Sequence, residues 1–324
     1  MQDDWREEMS DLEHTAIKRL QLAAKMSQQY YQKPLLICNS GGKDSLVLLA
    51  LAKAAGIKYE VVHSHTTADA PETVRYVRRQ MHELECAGVK TEIHYPVYKG
   101  KRTSMWALIP QKLMPPTRFA RYCCKILKET TENHRYIATG VRASESKGRA
   151  DSAEFETRTS RKADKGRFSY EHTAEVFSEA QTLPDVYDCQ LITACKKHKQ
   201  VSVLPIVDWT DEDIWNYIRS ERLKYNPLYD YGYAFDRVGC IGCPLASRKK
   251  RLAEFAKHPA YKNMYIRAFD RCIARRKALG KHGVTDNKDW STGAKMFDWW
   301  MEDKNLEGQV AFEGVKSEGS GLQN

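Results

Sequence analysis

The sequence predicts an α/β protein, a parallel twisted sheet with helices on both faces, extended by helices at both ends. Three observations predict it. Short apolar runs of strand length recur along the chain, led by Leu35-Leu-Ile-Cys38. Stretches of helical character separate them, such as Leu46 to Lys53. Glycine and proline punctuate the changes, as at Gly41-Gly42 and Pro96. Strands alternating with helices build parallel sheets covered on both sides, and ligands bind off the carboxyl ends of their strands.

In chain order, residues 9–30 read as an amphipathic helix. Ser10 and Glu13 stand in a capping-box pattern, and Leu12, Ile17, Leu20, Ala24 and Met26 sit near helical spacing. Leu35–Cys38 is the first strand, followed after the glycines by a helix over 44–55 that ends at Gly56. Lys58–His63 is the second strand. Asp69-Ala-Pro-Glu72 opens the next helix, with Asp69 as its expected N-cap, Pro71 in the first turn and Glu72 reaching back. Thr91–Pro96 and Tyr136–Gly140 read as the third and fourth strands, and Val201–Val207 as a further extended piece. Thr210 is the natural N-cap of a helix whose first turn holds Asp211, Glu212 and Asp213. Residues 147–172 are strongly charged with few large apolar side chains, and read as a loop over the site or as a plain surface insertion. The tail over 313–324, rich in Gly and Ser, is expected to be disordered.

The chain has 324 residues, enough to bury a large core, and 52 basic against 42 acidic side chains give a net charge of +10. That charge favours a polyanionic partner without identifying one. No run of 18 apolar residues marks a membrane span. The acidic start, Met1-Gln-Asp-Asp-Trp-Arg-Glu-Glu8, lacks a secretory pattern, so a cytoplasmic protein is expected. In that reducing compartment nine cysteines are not expected to form disulfides. Cys38 and Cys86 read as core residues, and Cys272 lies in a basic helix. Cys189 and Cys195 stand close to Lys196, Lys197 and His198, which would activate a relay thiol, although ordinary half-buried cysteines suit the pattern as well. His63, His65 and His94 form no metal-spaced set by sequence.

The stretch Ser40-Gly41-Gly42-Lys43-Asp44-Ser45 joins a strand to a helix N-terminus through a glycine turn. Amide groups, the helix dipole and the Lys43 ammonium together make an anion trap. The spacing differs from a Walker loop, which needs four residues between its first Gly and its Gly-Lys-[Ser/Thr]. It resembles the pyrophosphate loop (PP-loop) of the ATP pyrophosphatases, which split ATP between the α- and β-phosphates. Downstream, Gly140-Val-Arg142-Ala-Ser-Glu-Ser146 resembles the second motif of the phosphoadenylylsulfate (PAPS) reductase family. A guanidinium at Arg142 can hold a phosphate in bidentate fashion. The resemblance covers roughly residues 30–250. It implies an adenine nucleotide alpha-hydrolase-like, Rossmann-like fold. The organisation expected is an N-terminal helix over 1–30, a nucleotide-binding domain over 31–250 that carries the 147–172 insertion, and a basic helical region over 251–312.

Two cysteine pairs complete the pattern: Tyr122-Cys123-Cys124-Lys125 and Gly239-Cys240-Ile-Gly-Cys243-Pro244. Four thiolates suit either a structural zinc or a [4Fe–4S] cluster, and adjacent cysteines are awkward in a zinc knuckle. The set is similar to that of the iron–sulfur adenylylsulfate (APS) reductases and of the iron–sulfur proteins of DNA phosphorothioation systems. By that resemblance Cys123, Cys124, Cys240 and Cys243 would hold a [4Fe–4S] cluster. Reductases of the family carry a degenerate first loop and a nucleophilic cysteine in a C-terminal tail. Here the loop is intact and no cysteine follows Cys272.

The resemblance therefore implies an ATP pyrophosphatase that adenylates an acceptor for sulfur transfer. Lys43, Asp44 and Arg142 would be catalytic. Ser40, Gly41, Gly42, Lys43, Asp44, Ser45, Gly140 and Arg142 would bind ATP with Mg²⁺. Arg248-Lys-Lys-Arg251, Lys257, Arg267, Arg271, Arg275, Arg276 and Lys277, interleaved with Phe255, Tyr261 and Tyr265, make a nucleic-acid footprint plausible. The acceptor expected first is DNA, as in the Dnd/Ssp type of phosphorothioation, and next tRNA, with a sulfur-donor protein such as a cysteine desulfurase as partner. Two alternatives stay open: an APS or PAPS reductase, and a non-catalytic protein that binds nucleotide and DNA.

Overall fold

The structure, a computed structural model, describes residues 4–128, 135–158, 166–182, 200–281 and 290–302. The described residues fall into two compact units, one from within 1–104 and 122–241, the other from within 105–121 and 242–302. The division differs from the expected boundary at 250, and residues 105–121 join the second unit.

The first unit begins with α1 (Asp4–Tyr31). The helix starts ahead of Ser10, so Ser10 and Glu13 lie inside it and do not cap it. Ala16, Leu20, Ala23 and Met26 are fully buried in the core. Buried Arg19 ties the helix to the domain by donating to the Pro205 carbonyl at 3.0 Å, Asp208 at 2.9 Å and Glu154 at 3.0 Å. The N-terminal helix is thus part of this unit. Next come β1 (Leu35–Cys38), α2 (Lys43–Ala54), β2 (Tyr59–Ser64), α3 (Pro71–Cys86) and β3 (Lys90–His94). Ala70, not Asp69, is the N-cap of α3 and makes no side-chain cap bond. The Asp69 carboxylate instead accepts the Thr66 N–H at 2.8 Å.

A small hairpin, β4 (Val97–Tyr98) with β5 (Lys101–Arg102), precedes α4 (Met105–Lys112) of the second unit. The first unit resumes with α5 (Tyr122–Leu127), β6 (Arg135–Ala138), β7 (Phe155–Arg158), β8 (Arg167–Phe168), α6 (Tyr170–Thr182), β9 (Gln200–Val203) and α7 (Asp211–Ser220).

The sheet order is β3-β2-β1-β6-β9-β7-β8. The first five strands are parallel; β7 runs antiparallel to β9 and to β8. Leu35, Leu36 and Ile37 and all four residues of β6 are buried, as strands covered on both faces require. From β1 the chain builds outward through β2 and β3, then returns to lay β6 on the other side of β1. Connections leaving β1 and β6 therefore diverge, and a crevice opens between their carboxyl ends.

The 147–172 stretch differs from expectation. Phe155 is fully buried opposite Val203, and residues 155–158 and 167–168 extend the sheet as an antiparallel edge. β7 buries Phe155 together with the polar Glu156 and Thr157, so the segment holds its place with few large apolar residues; the most charged part, 159–165, lies outside the described residues.

The second unit is helical, with α4, α8 (Arg248–Lys257), α9 (Pro259–Ala278) and α10 (Gly293–Glu302). Its core is aromatic: Phe255, Tyr265, Phe269, Phe297 and Trp300 meet ring on ring at centroid distances of 4.7–6.4 Å. Among the described residues no helix is long and apolar enough to cross a membrane. The 313–324 tail lies outside them.

Candidate active site

Residues 39–42 turn the chain from β1 into α2. Gly41 has a φ of +76°, and a Cβ there would meet Val77 Cγ2 at 2.7 Å, so the loop tolerates only glycine at this point. Buried Asn39 organises the turn. Its Oδ1 accepts the Gly41 N–H at 2.9 Å and the Ser45 hydroxyl at 3.2 Å. Ser45 also lies 2.9 Å from the Gly42 carbonyl and 3.3 Å from the Ser40 hydroxyl. Far along the chain, Asn226 donates to the Gly41 carbonyl and to the Thr73 hydroxyl, both at 3.0 Å. The Tyr229 hydroxyl accepts the Lys43 N–H at 2.9 Å. Burial pushes that phenol up to about 12, so it stays protonated and keeps a proton to donate.

Past the loop, four charged groups close into a ring. Lys43 Nζ lies 3.0 Å from Asp211 and 3.9 Å from Asp44. Arg142 Nε donates to Asp44 at 2.6 Å and Nη2 to Asp211 at 2.8 Å. Arg142 Nη1 reaches the Ser144 hydroxyl at 3.0 Å and the Trp209 carbonyl at 3.4 Å. Both cationic side chains are only 4% exposed, and charges so buried require partners. The ring exists because of topology. Lys43 and Asp44 follow β1, Arg142 follows β6, and those two strands are neighbours at the crevice. Asp211 arrives on the first turn of α7, held by a capping box in which Thr210 and Asp213 exchange hydrogen bonds.

Two expectations follow from this geometry. A Cβ on Gly140 would stand 2.9 Å from the backbone carbon of Asp44. Gly140→Ala should therefore displace the loop, costing roughly 1–3 kcal/mol in a urea unfolding curve. The second concerns acid. Burial alone would lift the Asp211 carboxyl, but hydrogen bonds and charge from Lys43, then Arg142, hold it below its ordinary value. A folded-state value below the unfolded one stabilises above the ordinary carboxylate pKa, and that contribution fades as pH falls through the depressed value. Asp211→Asn should flatten the circular-dichroism acid-unfolding curve below about pH 4.

The structure thus gathers Ser40, Gly41, Gly42, Lys43, Asp44, Ser45, Gly140 and Arg142 at one edge of the sheet. Sequence reading missed Asn39, Asp211, Asn226 and Tyr229. The chemistry available is anion binding by two cations, one helix N-terminus and two hydroxyls, with two carboxylates placed to share a cation.

The cysteines divide between the units. Buried Cys123 and half-buried Cys124 are consecutive on α5, and Cys240, also buried, bridges to Asp69 by backbone pairing. The Cys240 thiol lies 3.3 Å from the Thr66 hydroxyl. Cys243 follows three residues on, at the start of the second unit. The all-sulfur donor set suits an iron–sulfur cluster or zinc. Among the described residues Cys123, Cys124 and Cys240 do not come within 4.8 Å of one another as a metal-binding group. A single zinc with bonds of about 2.3 Å would draw its sulfurs to roughly 3.8 Å. A cubane, whose irons are separate corners, holds its cysteine sulfurs further apart than a single zinc does.

The remaining thiols are plain. Cys272 is fully buried, and burial pushes its thiol up to about 11. Cys38 is half-buried, whereas Cys86 is exposed at the end of α3 and not in the core. Cys189 and Cys195 lie outside the described residues. In the second unit two of the three interleaved aromatics face inward: Phe255 and Tyr265 are core residues, whereas Tyr261 is half-buried. Arg251 is fully buried against the Trp300 ring and donates to the Trp300 carbonyl at 3.1 Å. Arg271 and Arg276 donate to the Trp106 and Leu113 carbonyls. Those three arginines brace the fold, and the two buried rings offer no stacking platform for bases.

A family model described as phosphoadenosine phosphosulfate reductase domain matches residues 34–246. Two uncharacterized proteins of Methanocaldococcus jannaschii are 27% and 26% identical to this chain over 72% and 86% of its length. The chain spans only 41% and 57% of those relatives. An adenosine 5'-phosphosulfate reductase of Bacillus pumilus is 48% identical over a short stretch, 15% of this chain and 20% of that one. The solved phosphoadenylyl-sulfate reductase of Candida auris, a phosphate complex, covers 72% of this chain and 94% of its own, at 15% identity and a TM-score of 0.42.

Proposed function

The chain belongs to the phosphoadenosine phosphosulfate reductase domain family, and from that premise we propose that it cleaves ATP at the α-phosphate to adenylate an acceptor for sulfur transfer. The observation that carries this reading is the pair of buried cations, Lys43 and Arg142, set side by side at the crevice behind an intact glycine loop. An acceptor oxygen attacks the α-phosphorus, the bond to the bridging oxygen breaks, and pyrophosphate leaves with the electron pair. Lys43, at the head of α2, neutralises the charge that grows on that leaving group. Arg142 holds the α-phosphate through its paired N–H groups. Asp44 and Asp211 would hold Mg²⁺, which would supply charge neutralisation on the phosphate oxygens when bound. Hydrosulfide then attacks the adenylated centre, a bond from sulfur forms there, and AMP leaves with the electron pair of the broken bond to oxygen.

Cys123, Cys124, Cys240 and Cys243 would hold the [4Fe–4S] cluster, whose chemistry is to deliver or carry sulfide. The acceptor best suited to a net charge of +10 is a nucleic acid, DNA before tRNA, and the sulfur comes from a donor protein such as a cysteine desulfurase. The decisive assay is incubation with α-labelled ATP and candidate acceptors. AMP and pyrophosphate are expected; ADP with phosphate, or sulfite released from APS by a thiol reductant, overturns the proposal. The cluster has its own test. Anaerobically purified protein should be brown with about four irons per chain, and Cys123→Ser with Cys124→Ser should bleach it. A colourless protein holding one zinc would end the cluster reading.

A further inference from the structure

His63, His65 and Asp69, which no regular sequence spacing groups together, meet at the carboxyl end of β2. We propose that they bind one divalent first-row transition-metal ion, at a centre distinct from the cysteines and independent of ATP cleavage. Their ligand atoms, one from each residue, all lie within 4.8 Å of one another. Zinc bonded at about 2.0–2.1 Å spaces its ligand atoms at roughly 3.4 Å, so a small contraction completes the site. His65 Nδ1 and the Asp69 carboxylate are already 3.6 Å apart.

The backbone explains the meeting. The imidazoles stand two positions apart along an extended chain, with Ser64 between them, which puts them on one side of it. Thr67 then adopts a φ of +64°, the chain reverses, and the Thr66 N–H fixes the Asp69 carboxylate at 2.8 Å. The cluster is a turn product, which is why its spacing in sequence looks like nothing.

The second observation is how His63 is held. Its Nδ1 lies 2.8 Å from the Asn39 carbonyl, which can only accept. Nδ1 therefore carries the proton, and Nε2 keeps its lone pair for a metal. A backbone carbonyl fixing the far nitrogen is the usual outer support of a metal-binding histidine. His63 is only 4% exposed, while the His65 side chain is 21% exposed, so the site is closed at its back and open on one side. Two imidazoles and one carboxylate match zinc, iron(II), cobalt(II) or manganese(II) and disfavour Mg²⁺, which demands oxygen donors. The site borders both regions already described without belonging to either. Asn39 also organises the glycine loop, and the Thr66 hydroxyl touches the Cys240 thiol.

The test uses the full chain, purified anaerobically, with Zn²⁺ as the probe. One equivalent should bind, and its X-ray absorption should show nitrogen and oxygen neighbours near 2.0 Å without a sulfur shell near 2.3 Å (approximate zinc bond lengths). His65→Gln and Asp69→Asn should each weaken Zn²⁺ binding at least about tenfold by calorimetry, a lower bound taken from the loss of outer-shell support alone. Asparagine keeps an acceptor for the Thr66 N–H, so the turn should survive, and circular dichroism checks it. His94→Gln, whose imidazole pairs with Glu92 at 3.0 Å while its backbone carbonyl accepts the His65 N–H at 2.9 Å, should bind as the parent does. A sulfur shell, or an affinity that His65→Gln and Asp69→Asn leave unchanged, overturns the proposal, as does failure to bind one equivalent. Iron content and pyrophosphate release are read separately on the same variants, so a failure of the nucleotide reading leaves this result interpretable.

Discussion

Lys43→Ala is expected to abolish pyrophosphate release from ATP, by at least about a hundredfold in kcat/KM, the scale of losing one donor to developing charge. The ammonium is the one full positive charge within the loop itself, and it sits at the N-terminus of α2, where the helix adds a partial charge of the same sign. Stability should change little. Asp211, the partner left behind, is 63% exposed and retains Arg142 at 2.8 Å, so it returns to water without a buried penalty. A folded, inactive Lys43→Ala protein thus separates chemistry from structure. Unchanged turnover would refute the loop's role in cleavage.

Arg142→Ala should do the opposite and damage both. The guanidinium is buried, and it spans Asp44, Asp211, the Ser144 hydroxyl and the Trp209 carbonyl. Removing it leaves Asp44, 18% exposed, with Lys43 at 3.9 Å as its ion-pair partner among the described residues. Breaking a buried pair in this way costs about 3 kcal/mol, which lowers Tm by roughly 6–12 °C in a unit of this size. Arg142→Lys keeps the charge but cannot reach four acceptors from one flat fork, so it should raise KM for ATP at least about tenfold while folding better than the alanine variant. A Lys variant with parental KM would show that Arg142 braces the loop and does not touch the nucleotide.

Much of this was legible in the residues. Strands buried on both faces leave unbroken apolar runs, so β1 and β6 stand out, and Thr210 with Asp213 announces α7 from composition alone. The edge hairpin was hidden because β7 and β8 are short and flank a charged segment. Asp211 was visible only as one of three carboxylates suiting a helix start; nothing local said that it faces Lys43. Asn226 and Tyr229 act across more than 180 residues, a distance at which sequence spacing carries no signal. The interleaved pattern of bases and aromatics misled for a related reason. Helical periodicity marks a face, but whether Phe255 and Tyr265 meet solvent or a neighbouring helix depends on α4 and α10, distant in the chain.

The ring of Lys43, Arg142, Asp44 and Asp211 also bears on selectivity. Two positive and two negative groups leave the crevice close to electroneutral before any nucleotide arrives, so a visitor competes with carboxylates already seated. An AMP or orthophosphate anion brings too little charge to dislodge both carboxylates at once. A triphosphate arriving with a divalent cation offers each carboxylate a new partner while its own oxygens take the two bases. Under the proposed reaction the ring would disfavour AMP and orthophosphate relative to a metal-bound triphosphate by the cost of opening it, a discrimination by internal competition and not by a steric gate.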